Sequence, residues 1–385
     1  MLNNYILRLK SEFKGYNSQK LVKDILAGLT VAAVALPLAL AFGVSSGADA
    51  GAGLITAIIA GLVIGVLSGA SYQISGPTGA MSAILIGLST TYGLQGVFIA
   101  SFLSGCMLII ASLFKFGKIV SFIPTSVITG FTSGIAIIIA LGQIDNFFGT
   151  TSVGSSALKK LFSYLKLGFP VSLPTVFFGI LVVVIMLIWP KKWGEYCPSS
   201  LAGIIIALIC QLCLNLPVHE VGTIPSTLFP EARLSFSSLH LSTITQLMLP
   251  ALSIAALGMI ESLLCGASAG KMKNEKLNAD RELMAQGIGN MLIPLFGGVP
   301  ATAAIARTSV AIKAGGKTRL VSVFHSIVIL ISMFLLGSLM SRIPLSALAG
   351  VLMVTAWRMN DWQEIKTLFH NRVKTNISQY LITMC

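Results

Sequence analysis

The stretch "SGPTGAMSAI" (residues 75–84) sets Gly-Pro-Thr-Gly at the start of an apolar run. A segment that crosses a bilayer ordinarily continues without such an interruption. Proline fits the first turn of a helix because it has no N–H group to leave unpaired. The stretch therefore predicts a short helix whose N-terminus lies at membrane depth. The alternative is an ordinary re-entrant turn between packed helices.

A second stretch, "GVPATAAIAR" (residues 298–307), repeats the pattern. When residues 76–83 are aligned with residues 299–306, proline takes the second place in both, among small and hydroxyl residues. A proline-bearing apolar segment precedes each stretch, "LTVAAVALPLALAFG" in the first case and "MLPALSIAALGMIES" in the second. Two short, interrupted segments at corresponding places in two halves indicate an inverted-repeat transporter with its binding site between them.

The composition is typical of a membrane protein. Of the 385 residues, 55% are hydrophobic and only 10% are charged, whereas soluble domains carry about a quarter charged residues. Apolar runs recur along the chain, and several are about 18–22 residues long, the length that crosses a bilayer. We predict an all-α polytopic membrane protein with segments near 24–43, 51–69, 76–90, 94–114, 121–145, 171–190, 199–217, 245–268, 280–297, 301–314, 320–341 and 345–358.

The net charge of +13 could indicate nucleic-acid binding, but the placement of the basic residues argues against it. If the segments alternate across the membrane, most Lys and Arg residues fall on the side of the N-terminus, as the positive-inside rule requires. We therefore expect a multi-pass protein of the bacterial inner membrane, surrounded by lipid, with a cytoplasmic N-terminus and no nucleic-acid partner. The sequence has no nucleophile–base pair and no metal-ligand spacing, so we expect no enzyme activity, metal or cofactor.

The segments that open at Pro77 and Pro300, here called the half-helices, predict an anion site. The first N–H groups of a helix have no partner within it, and its N-terminus carries the positive end of the helix dipole. Two such ends that face each other attract an anion without any basic side chain. Hydroxyl groups add donors, and glycine and alanine leave room for substrate. The predicted substrate-binding residues are Gly76, Pro77, Thr78, Gly79, Ala301, Thr302, Ala303 and Arg307. Arg307 either adds positive potential or pairs structurally with a carboxylate or a helix C-terminus.

Glu261 is the carboxylate that the sequence sets well inside an apolar segment. A lone charge there costs at least roughly 2.5–3.5 kcal/mol, and burial favours the neutral, protonated form. Glu261 is therefore predicted to carry a coupling proton; the alternative is a protonated glutamate bonded to a neighbouring helix. Gln286 and Asn290 lie one turn apart on one helix face, where they either line the cavity or bond across helices.

Four stretches carry a resemblance to a known family. They are "DILAGLTVAAVALPLALAFG" (24–43), "YQISGPTGAMSAI" (72–84), "ADRELMAQGIGNMLIPLFGGVPATAAIARTSV" (279–310) and "KAGGKTRL" (313–320). Together, and in this order, they resemble the SulP family of anion transporters, relatives of the mammalian sulfate and chloride–bicarbonate exchangers. The resemblance extends over most of the chain.

The resemblance implies a fold of fourteen segments in two inverted repeats of seven. Segments 1–4 and 8–11 would form a core that moves against a gate of segments 5–7 and 12–14, and the anion would bind between the half-helices in segments 3 and 10. Glu261 matches the acidic position of segment 8, which couples transport to protons or sodium in bacterial members. The implied divisions are a cytoplasmic N-terminal segment (1–23), the first half of the core (24–114), the first half of the gate (115–217), an extracellular loop (218–244), the second half of the core (245–341) and an incomplete second half of the gate (342–385).

The sequence departs from the family pattern in two places. The first segment of the family usually reads Leu-Pro-Gln, whereas this chain has Leu36-Pro37-Leu38. The chain also reaches "NISQYLITMC" where a thirteenth segment would begin, so we expect a gate that is incomplete at its C-terminus and no STAS domain. Leu38, which stands where the family usually has glutamine, is expected to affect the choice of substrate more than the fold.

The leading functional hypothesis is secondary active transport of a small anion such as sulfate, bicarbonate or a dicarboxylate. Elevator-like movement would be coupled to a proton rather than to sodium, because the acidic residue is a glutamate. The family resemblance also implies a homodimer. A passive anion channel and an inactive, truncated product of a transporter gene are alternatives. A nucleobase-type transporter would need a second carboxylate in segment 10, where this chain has Thr302 and Arg307.

Overall fold

The structure is a computed structural model that describes residues 2–117, 124–154, 157–194, 197–235, 241–370 and 373–384. Within these ranges, six helical stretches are long and apolar enough to cross a membrane by length and composition. They are Ser18–Ser45, Ala50–Leu67, Gly79–Leu113, Ser126–Phe148, Leu241–Lys273 and Leu320–Met340. Shorter apolar helices accompany them at Leu173–Ile188 and Ser199–Leu214. The chain is thus an integral, multi-pass membrane protein built from helices.

The first half of the chain contains eleven helices in the described residues. They are α1 (Leu2–Glu12), α2 (Ser18–Ser45), α3 (Ala50–Ile59), α4 (Gly65–Leu67), α5 (Gly79–Leu113), α6 (Thr125–Gly142), α7 (Ile144–Phe148), α8 (Ala157–Leu167), α9 (Leu173–Ile188), α10 (Lys191–Gly194) and α11 (Ser199–Leu214). A π-helical turn, Ala60–Ile64, joins α3 to α4.

The second half contains seven helices in the described residues. They are α12 (Leu241–Lys273), α13 (Ala279–Leu292), α14 (Ile305–Lys313), α15 (Leu320–Met340), α16 (Leu345–Met359), α17 (Trp362–His370) and α18 (Lys374–Met384). A 3₁₀ turn, Ile293–Phe296, extends α13. Two short strands, β1 (Ser75–Gly76) and β2 (Thr302–Ala303), pair with each other.

Polar side chains start several of these helices. Asn17, Asp49, Thr78 and Asn278 each accept a hydrogen bond from the backbone N–H three residues further on. This satisfies one of the otherwise unpaired donors of the first turn. The caps at Thr78 and Asn278 fix the starts of α5 and α13, the two helices that frame the candidate site.

The helices pack in two sets. In the first set, α5 contacts α12 and α13, while α2 contacts α3 and α15. In the second set, α16 contacts α6, α7 and α9, and α18 contacts α6. Glycine allows the closest approach in the first set: a Cβ atom on Gly105 would lie 2.6 Å from the carbonyl oxygen of Gly287. The sets meet where α5 contacts α6 and where α2 contacts α11 and α16.

The structure shifts several predicted boundaries. The half-helices begin at Gly79 and Ile305 rather than at the two prolines, because the residues just before them, Thr78 and Ala304, have an extended backbone. The predicted segments 76–90 and 94–114 form one helical run, α5, which is broken at Gly93, where φ is 68°. Positive φ is accessible to glycine at no steric cost.

Two further elements were not anticipated from the sequence. The strands β1 and β2 are each two residues long, too short to leave a periodic pattern. A helix, Trp362–His370, also lies between the last predicted segment and the C-terminal helix Lys374–Met384. That helix is amphipathic and only nine residues long, so a search for apolar runs passes over it.

Candidate functional site

The two half-helices meet through their strands. Strand β1 pairs antiparallel with β2, with Ser75 opposite Ala303 and Gly76 opposite Thr302. Because each strand leads into its own helix within a few residues, the antiparallel pairing brings the starts of α5 and α14 to one junction. The junction carries the two positive helix ends that the sequence analysis predicts to lie together.

A carboxylate from α12 lies against two threonines, Thr78 at the N-cap of α5 and Thr302 in β2. Glu261 Oε2 accepts hydrogen bonds from Thr302 Oγ1 at 2.5 Å and from Thr78 Oγ1 at 2.9 Å. The two hydroxyl oxygens are themselves 3.2 Å apart. Both threonines are buried, whereas Glu261 is partly exposed. The three side chains therefore form one hydrogen-bonded cluster, here called the Thr–Glu–Thr cluster.

Arg307 lies behind this cluster, in the first turn of α14. Its side chain is 1% exposed, and its Nη2 donates a hydrogen bond to the carbonyl oxygen of Pro77. Its Nη1 has no hydrogen-bond partner among the described residues. One nitrogen thus ties the half-helices together through a backbone carbonyl group, and not through the carboxylate or helix C-terminus that was one alternative for Arg307. A contribution of Arg307 to an anion site stays a prediction.

Protein atoms fill the space beside the small residues of the two half-helices. A Cβ atom on Gly76 would lie 2.3 Å from Arg307 Nη1, and one on Gly79 would lie 2.2 Å from Ile139 Cδ1 of α6. The expectation that these glycines leave room for substrate therefore needs correction at both positions. Ala301 and Ala303 are fully or almost fully buried. The small side chains allow close packing of the junction.

Asn290 holds the strand that leads to α14. Its Oδ1 accepts a hydrogen bond from the N–H of Ala301 at 2.7 Å, and its Nδ2 donates to the carbonyl oxygen of Ala301 at 2.9 Å. Both polar atoms of the side-chain amide thus form hydrogen bonds with the backbone of Ala301, and the side chain is 1% exposed. Of the two alternatives for Asn290, bonding between segments is the one that the structure contains.

Gln286 belongs to a second buried chain of hydrogen bonds. Its Nε2 donates to Ser75 Oγ at 3.0 Å and to Glu282 Oε1 at 2.9 Å. The other carboxylate oxygen of Glu282 accepts hydrogen bonds from Ser68 Oγ at 2.5 Å and from the N–H of Gly69 at 3.0 Å. Gln286 thus links β1 to the loop before it, and its Oε1 has no partner among the described residues.

Sequence reasoning missed several of the residues that hold the junction. It singled out Glu261 as the carboxylate inside an apolar segment, yet Glu282 and Asp24 are fully buried whereas Glu261 is partly exposed. It also missed Thr56, whose Oγ1 accepts a hydrogen bond from the N–H of Val299, and Ser262, whose Oγ accepts one from the N–H of Ala303. A polar residue inside an apolar segment is the signal that could have found them.

Comparisons with known proteins point to one family. A sequence profile of the sulfate permease family matches residues 21–384. The putative sulfate transporter YvdB of Bacillus subtilis is 38% identical over 94% of this chain and 69% of its own length. The bicarbonate transporter BicA of a Picosynechococcus species is 32% identical over 89% of this chain and 62% of its own length. The chain is thus clearly shorter than these curated relatives.

Solved structures share the fold. The transmembrane domain of a cyanobacterial bicarbonate transporter BicA superposes with a TM-score of 0.90 at 29% identity, covering 96% of this chain and 95% of that domain. The murine Solute Carrier 26 family member A9 anion transporter, in the inward-facing state, superposes with a TM-score of 0.86 at 17% identity, covering 96% of this chain and 66% of its own. The second likeness shows the fold alone. The predicted inverted-repeat transporter fold is confirmed.

Proposed function

Because the chain belongs to the sulfate permease family, a family of anion transporters, we propose that it moves a small anion across a membrane by secondary active transport coupled to protons. The observation that carries the proposal is the Thr–Glu–Thr cluster, in which Glu261 takes hydrogen bonds from a threonine of each half-helix. A carboxylate is itself an anion, so Glu261 occupies the donors that a transported anion would need.

This competition couples the anion to a proton. While Glu261 is ionised, its charge repels an incoming anion and engages the hydroxyl groups of Thr78 and Thr302. Protonation removes the charge and weakens the hydrogen bonds that Glu261 accepts, since bonds to an ionised acceptor are about twice as strong as neutral ones. The anion then binds with the proton already present, and the two cross together.

The positive potential at the junction supports an anion as the cargo. The half-helices α5 and α14 start there, and each contributes about half an elementary charge at its N-terminus. The guanidinium of Arg307 adds a full charge and one unpartnered N–H group within the described residues. A small anion would therefore be held by hydroxyl and N–H donors and by the fields of two helix ends.

Sulfate and bicarbonate are the first substrates to test, and a dicarboxylate is the third. The relatives named above are described as a putative sulfate transporter and a bicarbonate transporter. At the position where the family usually has glutamine, this chain has Leu38, which is buried. If the family's glutamine lies beside the anion, its replacement by leucine favours an anion that needs few hydrogen bonds, and bicarbonate fits this better than sulfate.

Elevator-like movement would use the two sets of packed helices. We infer that the set around α2, α5, α12 and α13 is the moving core, because it carries the Thr–Glu–Thr cluster. The set around α16 would be the gate, and the close contact of Gly79 with Ile139 supports a sliding surface between α5 and α6. On this basis we propose core divisions at 24–114 and 245–341 and gate divisions at 115–217 and 342–385.

The orientation follows from charge. We propose that the N-terminus is cytoplasmic and that the protein resides in a bacterial inner membrane, because most basic residues fall on the side of the N-terminus. A homodimer is the assembly that the family resemblance implies. Sodium is the alternative coupling ion.

The test is uptake of labelled bicarbonate, sulfate and a dicarboxylate into liposomes that contain the purified chain, with and without an inward proton gradient. We expect one anion to accumulate, faster with the gradient than without it. Uptake that responds to a sodium gradient instead would contradict proton coupling. Equilibration without accumulation under either gradient would identify a passive channel and contradict active transport.

A further inference from the structure

A cavity of about 370 Å³ lies at the face of the membrane domain that carries α1, away from the Thr–Glu–Thr cluster. Four basic and two acidic side chains line it. They are Arg8, Lys276, Lys317, Arg319, Glu12 and Glu275. The proposed transport mechanism uses none of these residues.

Hydrogen bonds between separate segments fix the walls of this cavity. Arg8 Nη1 donates to the carbonyl oxygen of Gly69 at 2.9 Å, which ties α1 to the loop before β1. Lys273 Nζ donates to the carbonyl oxygen of Lys317 at 2.9 Å and to Ser71 Oγ at 3.1 Å. The end of α12, the loop before β1 and the loop before α15 are thereby joined. The cavity is a built feature of the fold and does not depend on a single loop.

The acidic side chains are already engaged. The carboxylate of Glu12 accepts three hydrogen bonds from Arg319. One comes from the backbone N–H at 2.8 Å, and two come from the guanidinium nitrogens Nη2 and Nε at 2.8 and 3.0 Å. Glu275 Oε2 accepts a hydrogen bond from Ser71 Oγ at 2.6 Å. With Glu12 and Arg319 paired, the lining retains three positive charges and one negative charge.

Two of those positive charges have no acidic partner. Among the described residues, neither Lys276 nor Lys317 forms an ion pair through its ammonium group, and both side chains are exposed at the rim of the cavity. Arg8 uses Nη1 on Gly69 and keeps its remaining guanidinium N–H groups. The hydroxyl group of Ser11 also lines the cavity, but it donates to the carbonyl oxygen of Arg8 at 2.8 Å. The donors converge on a space that an anionic group can enter.

We propose that this cavity binds a phosphate-bearing ligand. The excess of about two positive charges matches the charge of about −1.5 to −2 of a phosphate monoester, and its oxygens accept several charge-assisted hydrogen bonds at once. The ligand is either the headgroup of an anionic lipid or a soluble phosphate ester. Its binding joins α1 to the segments that lead into β1 and α15, so it stabilises the core independently of the anion in transport.

The experiment measures the affinity of the purified, detergent-solubilised chain for inorganic phosphate by calorimetry. The double variant Lys276→Gln/Lys317→Gln is compared with Lys271→Gln/Lys313→Gln, which removes the same charge from exposed lysines outside the cavity. We expect binding at least about tenfold weaker in the first variant and nearly unchanged in the second. Equal affinity in all three proteins, or an equal loss in both variants, would overturn the proposal.

Phosphatidic acid, a lipid whose headgroup is a phosphate monoester, serves as the second probe. The chain in phosphatidylcholine nanodiscs, prepared with and without phosphatidic acid, is tested for thermal stabilisation and for lipid retained in native mass spectra. Stabilisation that requires Lys276 and Lys317 supports a lipid headgroup, and phosphate binding without it supports a soluble ester. Proton-coupled uptake through Glu261 is measured separately, so its failure is distinguishable.

Discussion

The hydroxyl oxygens of Thr78 and Thr302 lie 3.2 Å apart, although the two residues are separated by 224 positions in the chain. Each hydroxyl donates to the same carboxylate oxygen of Glu261. One residue comes from each half-helix, so a group that binds both threonines also bridges the two halves of the fold. The proposal that protonation of Glu261 controls anion binding rests on this geometry.

The first prediction concerns that switch. In the parent chain, anion affinity should fall as pH rises, because the ionised carboxylate of Glu261 competes for the donors of Thr78 and Thr302 and repels the anion. The variant Glu261→Gln stays neutral and should bind the anion with an affinity that does not change with pH. Calorimetric titrations with the transported anion over a pH series test this.

The matched control for this experiment is Glu231→Gln, which alters an exposed glutamate in a loop. It should keep the pH dependence of the parent. A Glu261→Gln chain whose anion affinity still falls with rising pH, or whose uptake still follows the proton gradient, would remove Glu261 from the coupling step.

The second prediction concerns the hydroxyl donors. Thr302→Val keeps the shape of the side chain and loses one donor of the cluster, so anion affinity at low pH should fall about tenfold. Thr302→Ser retains the hydroxyl and should recover most of the affinity. Thr90→Val, at an exposed position on α5, serves as the control and should bind as the parent does. Equal binding by Thr302→Val and Thr302→Ser would contradict a role for the hydroxyl.

The third prediction concerns the packing at Gly76. A methyl group there would lie 2.3 Å from Nη1 of Arg307, a buried side chain whose other terminal nitrogen, Nη2, is held by the carbonyl oxygen of Pro77. Gly76→Ala should therefore destabilise the fold by about 1–3 kcal/mol, as overpacking does. Thermal unfolding in detergent measures the effect. Gly142→Ala meets nothing within 4 Å and should be neutral or slightly stabilising; equal midpoints for both variants would argue against the packing described here.

The fourth prediction concerns the support of β2. Asn290→Ala leaves both the N–H and the carbonyl oxygen of Ala301 without their partner, and each unsatisfied buried group costs about 1–3 kcal/mol. We expect a clear loss of thermal stability together with weaker anion binding. Asn290→Asp keeps the acceptor and loses the donor, so its unfolding midpoint should lie between those of the parent chain and Asn290→Ala.

Asn360→Ala is the control for this series, since Asn360 donates a single long hydrogen bond of 3.3 Å to Ala356. Its unfolding midpoint should stay near that of the parent. If Asn290→Ala had the same unfolding midpoint as Asn360→Ala, the side-chain amide of Asn290 would not be what holds β2 in place.

The sequence predicted the two interrupted segments but not how they join. Pro77 and Pro300 marked the places where an apolar helix could not continue, and in the structure neither proline lies within a helix. The two-residue strands were beyond reach, because an extended pair that short has no periodicity to detect. Glu261 stood out because it breaks an apolar run, whereas Glu282 lies among other polar residues near a helix start and did not.

By itself the sequence determined the class of the protein. Apolar length, scarce charge and the one-sided distribution of lysine and arginine are local or additive properties, and they require a helical protein that crosses the membrane many times. Only the tertiary structure decided which groups meet. The bond from Arg307 to Pro77 spans 230 positions, and that from Thr78 to Glu261 spans 183. Contacts at such separations depend on how whole helices pack, which local sequence does not encode.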